Sequence, residues 1–204
     1  MKNLPVWVRQ HLAALRAMLV LTVALGVVYP LVMTAVAQIA TPGRADGSLV
    51  KVAGKVVGSK LLGQSFSDGK GNPLPQWFQP RPSATSYDSS TSGGSNYGPE
   101  APELIKAIKE LRDSVAKFDS VPGHPVRPAD VPPDAVTASA SGLDPDISVA
   151  YAQQQAYRVA YHRHLDAGRV LALVNAHIDK PTVGVFGTKV VNVLELNLAL
   201  SRMN

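Results

Sequence analysis

Residues 17–43 contain no charged side chain, directly after Arg16, in a 204-residue chain in which 17% of residues are charged. A helix rises about 1.5 Å per residue and the hydrocarbon layer of a bilayer is about 30 Å thick, so roughly 20 apolar residues cross it. Residues 17–39 are long enough to do so with some tilt. A removable secretion leader is the competing reading, because Lys2, Arg9 and Arg16 form a basic head and Ala35-Val36-Ala37 fits a small-x-small cleavage pattern. Leader cores run only about 7–15 residues, however, and Gly26 with Pro30 inside the run fits a kinked span better. The expected organisation is a short basic head at residues 1–14, a transmembrane helix at 15–40, and one domain at 41–204.

Which side that domain occupies is less sharply encoded. Arg44, Lys51, Lys55 and Lys60 follow the apolar run, almost balancing the basic residues before it. Long domains translocate largely regardless of charge, and a short basic head ahead of a first span usually stays in the cytoplasm. The N-terminus is therefore expected in the cytoplasm and the large C-terminal part outside.

About 160 residues remain beyond the anchor, enough for one domain with its own core. The chain has no cysteine, so disulfides and thiolate chemistry are excluded and the fold depends on packing. Its net charge of +5 is not gathered into a run, and two Trp, six Tyr and four Phe give little for bases to stack on. Nucleic acid is not an expected partner.

Val50, Val52, Val56 and Val57 among Gly and Lys read as one or two strands just beyond the span. Residues 63–102 are crowded with Gly, Ser, Pro and Asn, yet Phe66, Trp77, Phe78, Tyr87 and Tyr97 are interleaved, so an ordered irregular surface is expected rather than disorder. Leu104, Ile105, Ile108, Leu111, Val115 and Phe118 recur at helical spacing, which predicts an amphipathic helix over 102–118 with that stripe in the core. A second irregular passage, rich in proline, runs to Asp146. Ser148 is placed to cap a helix reaching about residue 165, and a further helix over 166–177 turns Val170, Leu173 and Val174 inward. Residues 183–186 and 189–191 read as two strands around Gly187, and Asn192 with Glu195 resembles a capping box opening a last helix. The pattern is α+β without an internal repeat.

No catalytic set stands out. His162 and His164 are two apart on a helix and point to different faces, so they do not make a metal site with His177. No G-x-S-x-G is present, and most serines lie in Gly/Pro-rich turns. Ser92-Gly93-Gly94-Ser95-Asn96 lacks the Lys and the strand-to-helix setting of a phosphate loop, and reads as a turn.

The irregular segments carry a more specific signal. In order along the chain stand Gly47-Ser48-Leu49-Val50, Gly63-Gln64-Ser65-Phe66, Arg81-Pro82-Ser83-Ala84-Thr85, Ser92-Gly93-Gly94-Ser95-Asn96, the run Val136-Thr137-Ala138-Ser139-Ala140-Ser141-Gly142-Leu143-Asp144, and Val191-Asn192-Val193-Leu194-Glu195-Leu196-Asn197-Leu198. With Leu15-Arg16, Val28-Tyr29-Pro30-Leu31 and Arg158-Val159-Ala160, this series resembles the C subunit of the Kdp potassium-transporting ATPase over essentially the whole chain. The resemblance implies a non-catalytic partner in a bacterial inner-membrane pump. There it would accompany a channel-like potassium-binding subunit, a P-type ATPase subunit and a small single-span subunit, with membrane lipid around its helix. Potassium is then the transported ion of the complex. No cofactor is expected to bind this chain tightly, and ATP enters through the ATPase subunit.

The family is also described as a catalytic chaperone that raises the ATPase subunit's affinity for ATP. A domain held outside cannot touch cytoplasmic ATP, so such an effect requires coupling through the membrane or the opposite topology. The glutamine tied to that idea matches Gln155, with helix-surface placement as the plain alternative. Two departures stand nearby: Ala156-Tyr157 where a Val-Pro or Ile-Pro pair is common, and Asp146 where a His is common, which changes local charge and pH response. Interface candidates are Gly26 and Pro30 in the span and Trp77, Phe78, Arg81, Thr85, Gly93, Gly94 and Asn96 outside it. The aromatics would supply anchoring area, Arg81 and Thr85 polar contacts, and the glycines with Asn96 unusual backbone angles; packing of a coil-rich domain is the competing reading. On the interface reading, charge reversal at Arg81 weakens retention in the complex without unfolding the domain. The function class that competes with the accessory subunit is a stand-alone membrane-anchored or secreted binding domain or hydrolase.

Overall fold

The computed structural model describes residues 4–181 and 187–203, and the chain divides into two units, Met1–Leu49 and Val50–Asn204. The first is dominated by a single helix, α1 (Val6–Ala40), followed by one helical turn at Pro42–Ala45. The 35 residues of α1 reach about 50 Å, more than a hydrocarbon layer needs. None of its most apolar window is buried by the rest of the chain. By length and composition such a helix could cross a membrane, and it fits a single-pass membrane protein.

Midway, the helical ladder widens into a π-turn at Ala24–Val28, where the Tyr29 N–H bonds back to the Ala24 carbonyl. Pro30 explains it. Proline has no N–H, and in a regular helix its ring would strike the carbonyl four residues back, that of Gly26; the wider turn lets this carbonyl pass. Downstream, the Thr34 hydroxyl donates to the Pro30 carbonyl at 2.8 Å.

The second unit is α+β, as expected. A hairpin of β1 (Leu49–Val52) and β2 (Lys55–Ser59) turns at Ala53-Gly54, whose φ values of 49° and 80° are the left-handed pair of a type I′ turn. After a long coil comes α2 (Pro102–Asp119), then a second coil with short 3-10 turns at Pro128–Asp130 and Pro133–Ala135. The remainder is β3 (Asp146–Ser148), α3 (Val149–Arg163), α4 (Ala167–Ala176), β4 (Ile178–Asp179), β5 (Val190–Asn192) and α5 (Val193–Leu200). The strand expected at 183–186 lies outside the described residues.

The helix starts follow their side chains. Ser148 accepts from the Tyr151 N–H at 3.0 Å and Asn192 from the Glu195 N–H at 3.1 Å, as predicted, and Asp166 does the same for Arg169 at 2.9 Å. Only the forward half of the capping box forms, because the Glu195 carboxylate turns instead to Lys60. β5 is the middle strand of a three-stranded antiparallel sheet, with Ile147 and Ile178 in register with Val191 on either side. Val191, Val159, Val170, Val174, Leu196 and Leu200 are fully buried around it. The apolar stripe of α2 contributes less than its periodicity implies: Ile105 is 59% exposed, while Leu111 and Val115 are only partly covered. α2 is a flanking helix, and its wholly buried residues are Ala116 and Asp119.

The two irregular segments are ordered because they are stitched to each other. The Gly63 N–H donates to the Leu143 carbonyl at 2.8 Å and the Gly93 N–H to the Ser141 carbonyl at 2.9 Å. Gly142 sits in this seam with φ of 68°, and a Cβ on it would lie 2.7 Å from the Gly93 carbonyl oxygen and against the Thr85 hydroxyl. Gly142→Ala is therefore expected to cost about 2–4 kcal/mol, lowering the melting temperature by about 5–15 °C. Gly123→Ala, at φ of 83° with open space around it, carries only the left-handed strain of about 1 kcal/mol. Paired thermal melts check this, and equal losses would count against the seam.

Candidate functional site

The most concentrated polar chemistry lies inside the domain. Arg158, on the inward face of α3, is fully buried and meets Asp119, 1% exposed at the end of α2, with Nε to Oδ1 at 2.8 Å. Its Nη1 donates to the carbonyls of Pro75 and of Trp77, the latter at 3.0 Å, and its Nη2 donates to Gln155 Oε1 at 2.7 Å. The Phe118 ring covers the guanidinium at 4.4 Å. Gln154 completes the cage by donating to the second Asp119 oxygen at 2.7 Å. One planar cation thus ties α3, α2 and the coil at 75–77 together.

Gln155 is neither on the helix surface nor open to a ligand. It is fully buried because it holds the backbone of Gln79: its Oε1 accepts from the Gln79 N–H at 2.6 Å and its Nε2 donates to the Gln79 carbonyl at 3.0 Å. Asn197 of α5 clamps Phe78 in the same two-way manner, at 2.9 Å for each bond. Two side-chain amides therefore replace a strand partner for residues 78–79, drawing the Phe78 ring into the core at 0% exposure. Phe78 offers no area to a partner, contrary to the sequence expectation. Among the described residues, no buried side-chain nitrogen or oxygen lacks a hydrogen-bond partner.

The outer candidates gather along the seam. Arg81 does not face outward freely: its Nη1 bonds Asp144 Oδ2 at 2.7 Å, while Nε and Nη2 reach the Thr137 carbonyl at 3.4 and 3.3 Å. The expectation that Arg81 can be reversed without disturbing the domain is corrected by this internal pairing. Tyr87 donates its hydroxyl to the Arg81 carbonyl, and burial pushes its phenol well above the usual range. Ser83 donates to the Gly142 carbonyl at 2.7 Å, with Thr85 beside it at 3.4 Å. Of the residues expected in unusual backbone geometry, only Asn96 has a left-handed φ, of 55°. Gly94 is required instead by close approach, since a Cβ there would lie 3.1 Å from the Ala140 carbonyl oxygen; Gly93 abuts the Thr85 methyl more loosely.

Trp77 remains partly exposed, tilted on Phe66 and overlain by the Arg163 guanidinium at 5.0 Å. It keeps usable surface, as does exposed Asn96. In α1, a Cβ on Gly26 would meet nothing nearer than Thr22 Cγ2 at 4.0 Å, so no packing within the chain requires glycine there. A cleft of about 480 Å³ lies between the seam and α2, walled by Leu111, Val115 and Phe118 on one side and by Arg81 and Tyr87 on the other.

Asp146 in β3 is half-buried and accepts from Asn192 Nδ2 at 3.1 Å. Burial pushes its carboxyl above the ordinary range, aided by the charges of Asp144, Asp179 and Glu195 and opposed by the Asn192 bond. The Arg158 cage itself was not foreseen. The usable signal is the phase of α3: Tyr151, Gln155, Arg158 and Val159 follow one another at four, three and one residues, which places an arginine on the buried face.

Residues 11–202 match the family described as KdpC, the K+-transporting ATPase c chain. The chain is 50% identical to a potassium-transporting ATPase KdpC subunit of Streptomyces coelicolor, over 94% of this chain and 92% of that one. It is 48% identical to the namesake subunit of Ralstonia nicotianae, over 91% and 89%. For the one from Mycobacterium bovis the identity is 43%, over 96% and 99%.

Two expectations follow from the geometry. Asp119→Ala strands the Arg158 cation and should cost about 3–5 kcal/mol in thermal or denaturant unfolding, with Arg158→Met in the same chain recovering part of that loss. The folded Asp146 binds its proton more tightly than the unfolded chain does. The stability tied to it is full below the unfolded carboxyl range and is lost as pH rises through the folded value. Asp146→Asn should accordingly stabilise the protein near neutrality, with the gain vanishing below about pH 4; a gain independent of pH would refute the assignment.

Proposed function

The chain belongs to the KdpC family, the c chain of K+-transporting ATPases, and from that premise we propose that it is an accessory subunit that supports assembly and activity of a high-affinity potassium uptake pump. It is a subunit of that ATPase rather than a catalytic protein. In this reading α1 anchors it in the bacterial inner membrane with the N-terminus cytoplasmic and the domain outside. Its neighbours are a channel-like potassium-binding subunit, a P-type ATPase subunit and a small single-span subunit. The observation that carries the proposal is α1: an apolar helix left bare by its own chain, with a π-turn and a glycine that no internal contact requires. Such a surface suits packing against other spans, where small residues permit close approach.

Regulation of ATP affinity belongs to the proposal only as a transmitted effect. Gln155 is engaged by the Gln79 backbone and Arg158, so a nucleotide could reach it only by dismantling residues 75–79. A change in the ATPase subunit's affinity would then come from this subunit favouring one conformation of the complex.

Detergent extraction of the native membrane should yield this chain together with potassium-stimulated ATPase activity. Recovery of the chain alone, with that activity elsewhere, would overturn the assignment. A cysteine introduced at Ser90, unique in the protein, should react with a membrane-impermeant thiol reagent from the outside only. Labelling from the cytoplasmic side would reverse the proposed topology and reopen direct nucleotide contact.

A further inference from the structure

The β1–β2 hairpin stands between a tied segment at the end of α1 and a tie to the domain, and is bare along its length. On its N-terminal side, Gln38 Nε2 donates to Asp46 Oδ1 at 2.8 Å, and the Ser48 N–H bonds the Gly43 carbonyl at 2.7 Å. These bonds fold residues 41–48 back on the end of α1, so Asp46 lies at the level of Gln38. On its C-terminal side, Asn192 Nδ2 donates to the Lys60 carbonyl at 2.9 Å, and Gly58 sits where a Cβ would lie 2.9 Å from Leu194 Cδ2. Between these ties, Val52, Val56 and Val57 are 39%, 53% and 37% exposed, although a strand's valines ordinarily face a core. The ribbon has two strands, which alone are marginally stable in water. Lys51 and Lys55 adjoin the valines, and neither has an ion-pair partner among the described residues.

We propose that this hairpin is an interfacial foot: its valines enter the boundary between headgroups and acyl chains, while Lys51 and Lys55 hold anionic lipid headgroups. The inference rests on α1 being a membrane span. Chain length then sets the reach. Gln38 lies at the end of the crossing and Asp46 is bonded to it, so Val52, six residues on, is within about 20 Å of the membrane edge. Composition selects lipid over protein. Lysine is depleted in protein interfaces, and the hairpin lacks the Trp, Tyr and Arg that anchor them, whereas lysines beside aliphatic side chains suit an anionic bilayer surface, their stems lying along the apolar zone. Arg44, just before the hairpin, adds a third cation of the same kind.

The test uses the full chain reconstituted in vesicles of phosphatidylcholine with about one-third phosphatidylglycerol, carrying a single fluorescent label on Val56→Cys or Val27→Cys. Spin labels at shallow acyl positions should quench the Val56 label, and spin labels deep in the acyl chains should quench the Val27 label. Lys51→Gln with Lys55→Gln should lower the bound-to-free ratio of the hairpin about tenfold or more, while leaving quenching at Val27 unchanged. Absence of quenching at Val27 would overturn the span and the foot with it. Quenching at Val27 without quenching at Val56 would overturn the foot alone. So would a Val56 label that stays wet in the lone chain and is covered only when the other pump subunits are reconstituted, which would assign the hairpin to a protein partner. Equal binding to pure phosphatidylcholine would overturn the anionic-headgroup assignment.

Discussion

A guanidinium cannot be taken out of water unless its donors are met, and in this domain that requirement organises the parts that lack regular structure. Arg158 is fully buried, and its partners come from three places: a carboxylate ending α2, carbonyls in the coil at 75–77, and an amide one turn earlier on α3. Each partner is fixed in turn, Asp119 by Gln154 and Gln155 by the backbone of residue 79. Apolar contact alone could not specify such a coil, because hydrophobic burial is non-directional and a Gly/Ser/Pro-rich chain has few side chains to bury. Directional bonds to a buried charge do so. They fix the geometry of the coil, while a buried ion pair recovers little beyond its own desolvation.

The same logic extends outward along the seam. Residues 63, 81–87 and 92–94 all meet the strip at 140–144, through backbone pairs, hydroxyls and the Arg81–Asp144 bond. These are the stretches through which the sequence resembles its family. Their residue types are accounted for by their contact with one another: Gly142 and Gly94 are glycines because a backbone passes where a Cβ would be, and Arg81 is an arginine because a carboxylate and a carbonyl stand opposite it. Residues that looked like a docking face are, for the most part, the fastening of the domain itself. What they leave to a partner is the shape that the fastening presents, with Trp77 and Asn96 still at the surface.

Local rules were legible where they act alone. The helix starts at Ser148 and Asn192, the short strands after the span, and the α+β character followed from capping and periodicity. The interruption near Pro30 followed from the missing N–H. Properties set by distant partners were not legible. Phe78 read as an exposed aromatic in a loop, because nothing within a few residues of it announces the Asn197 clamp 119 positions away. Gln155 and Arg81 read as available for the same reason. The stripe of α2 was legible as amphipathic, but not the fact that it flanks the core rather than enters it, which depends on how much of its face the coils cover.

The π-turn changes how α1 should be read by substitution. A widened turn is equivalent to one inserted residue, and one residue is about 100° of rotation in a regular helix. Residues before Ala24 and after Val28 that share a helical-wheel position in an unbroken count therefore point in different directions. A tryptophan or alanine scan of α1 analysed with one uniform period would smear a real stripe into noise. Fitted as two segments with a phase jump between them, the same data would resolve into two short faces, each able to serve a different neighbour.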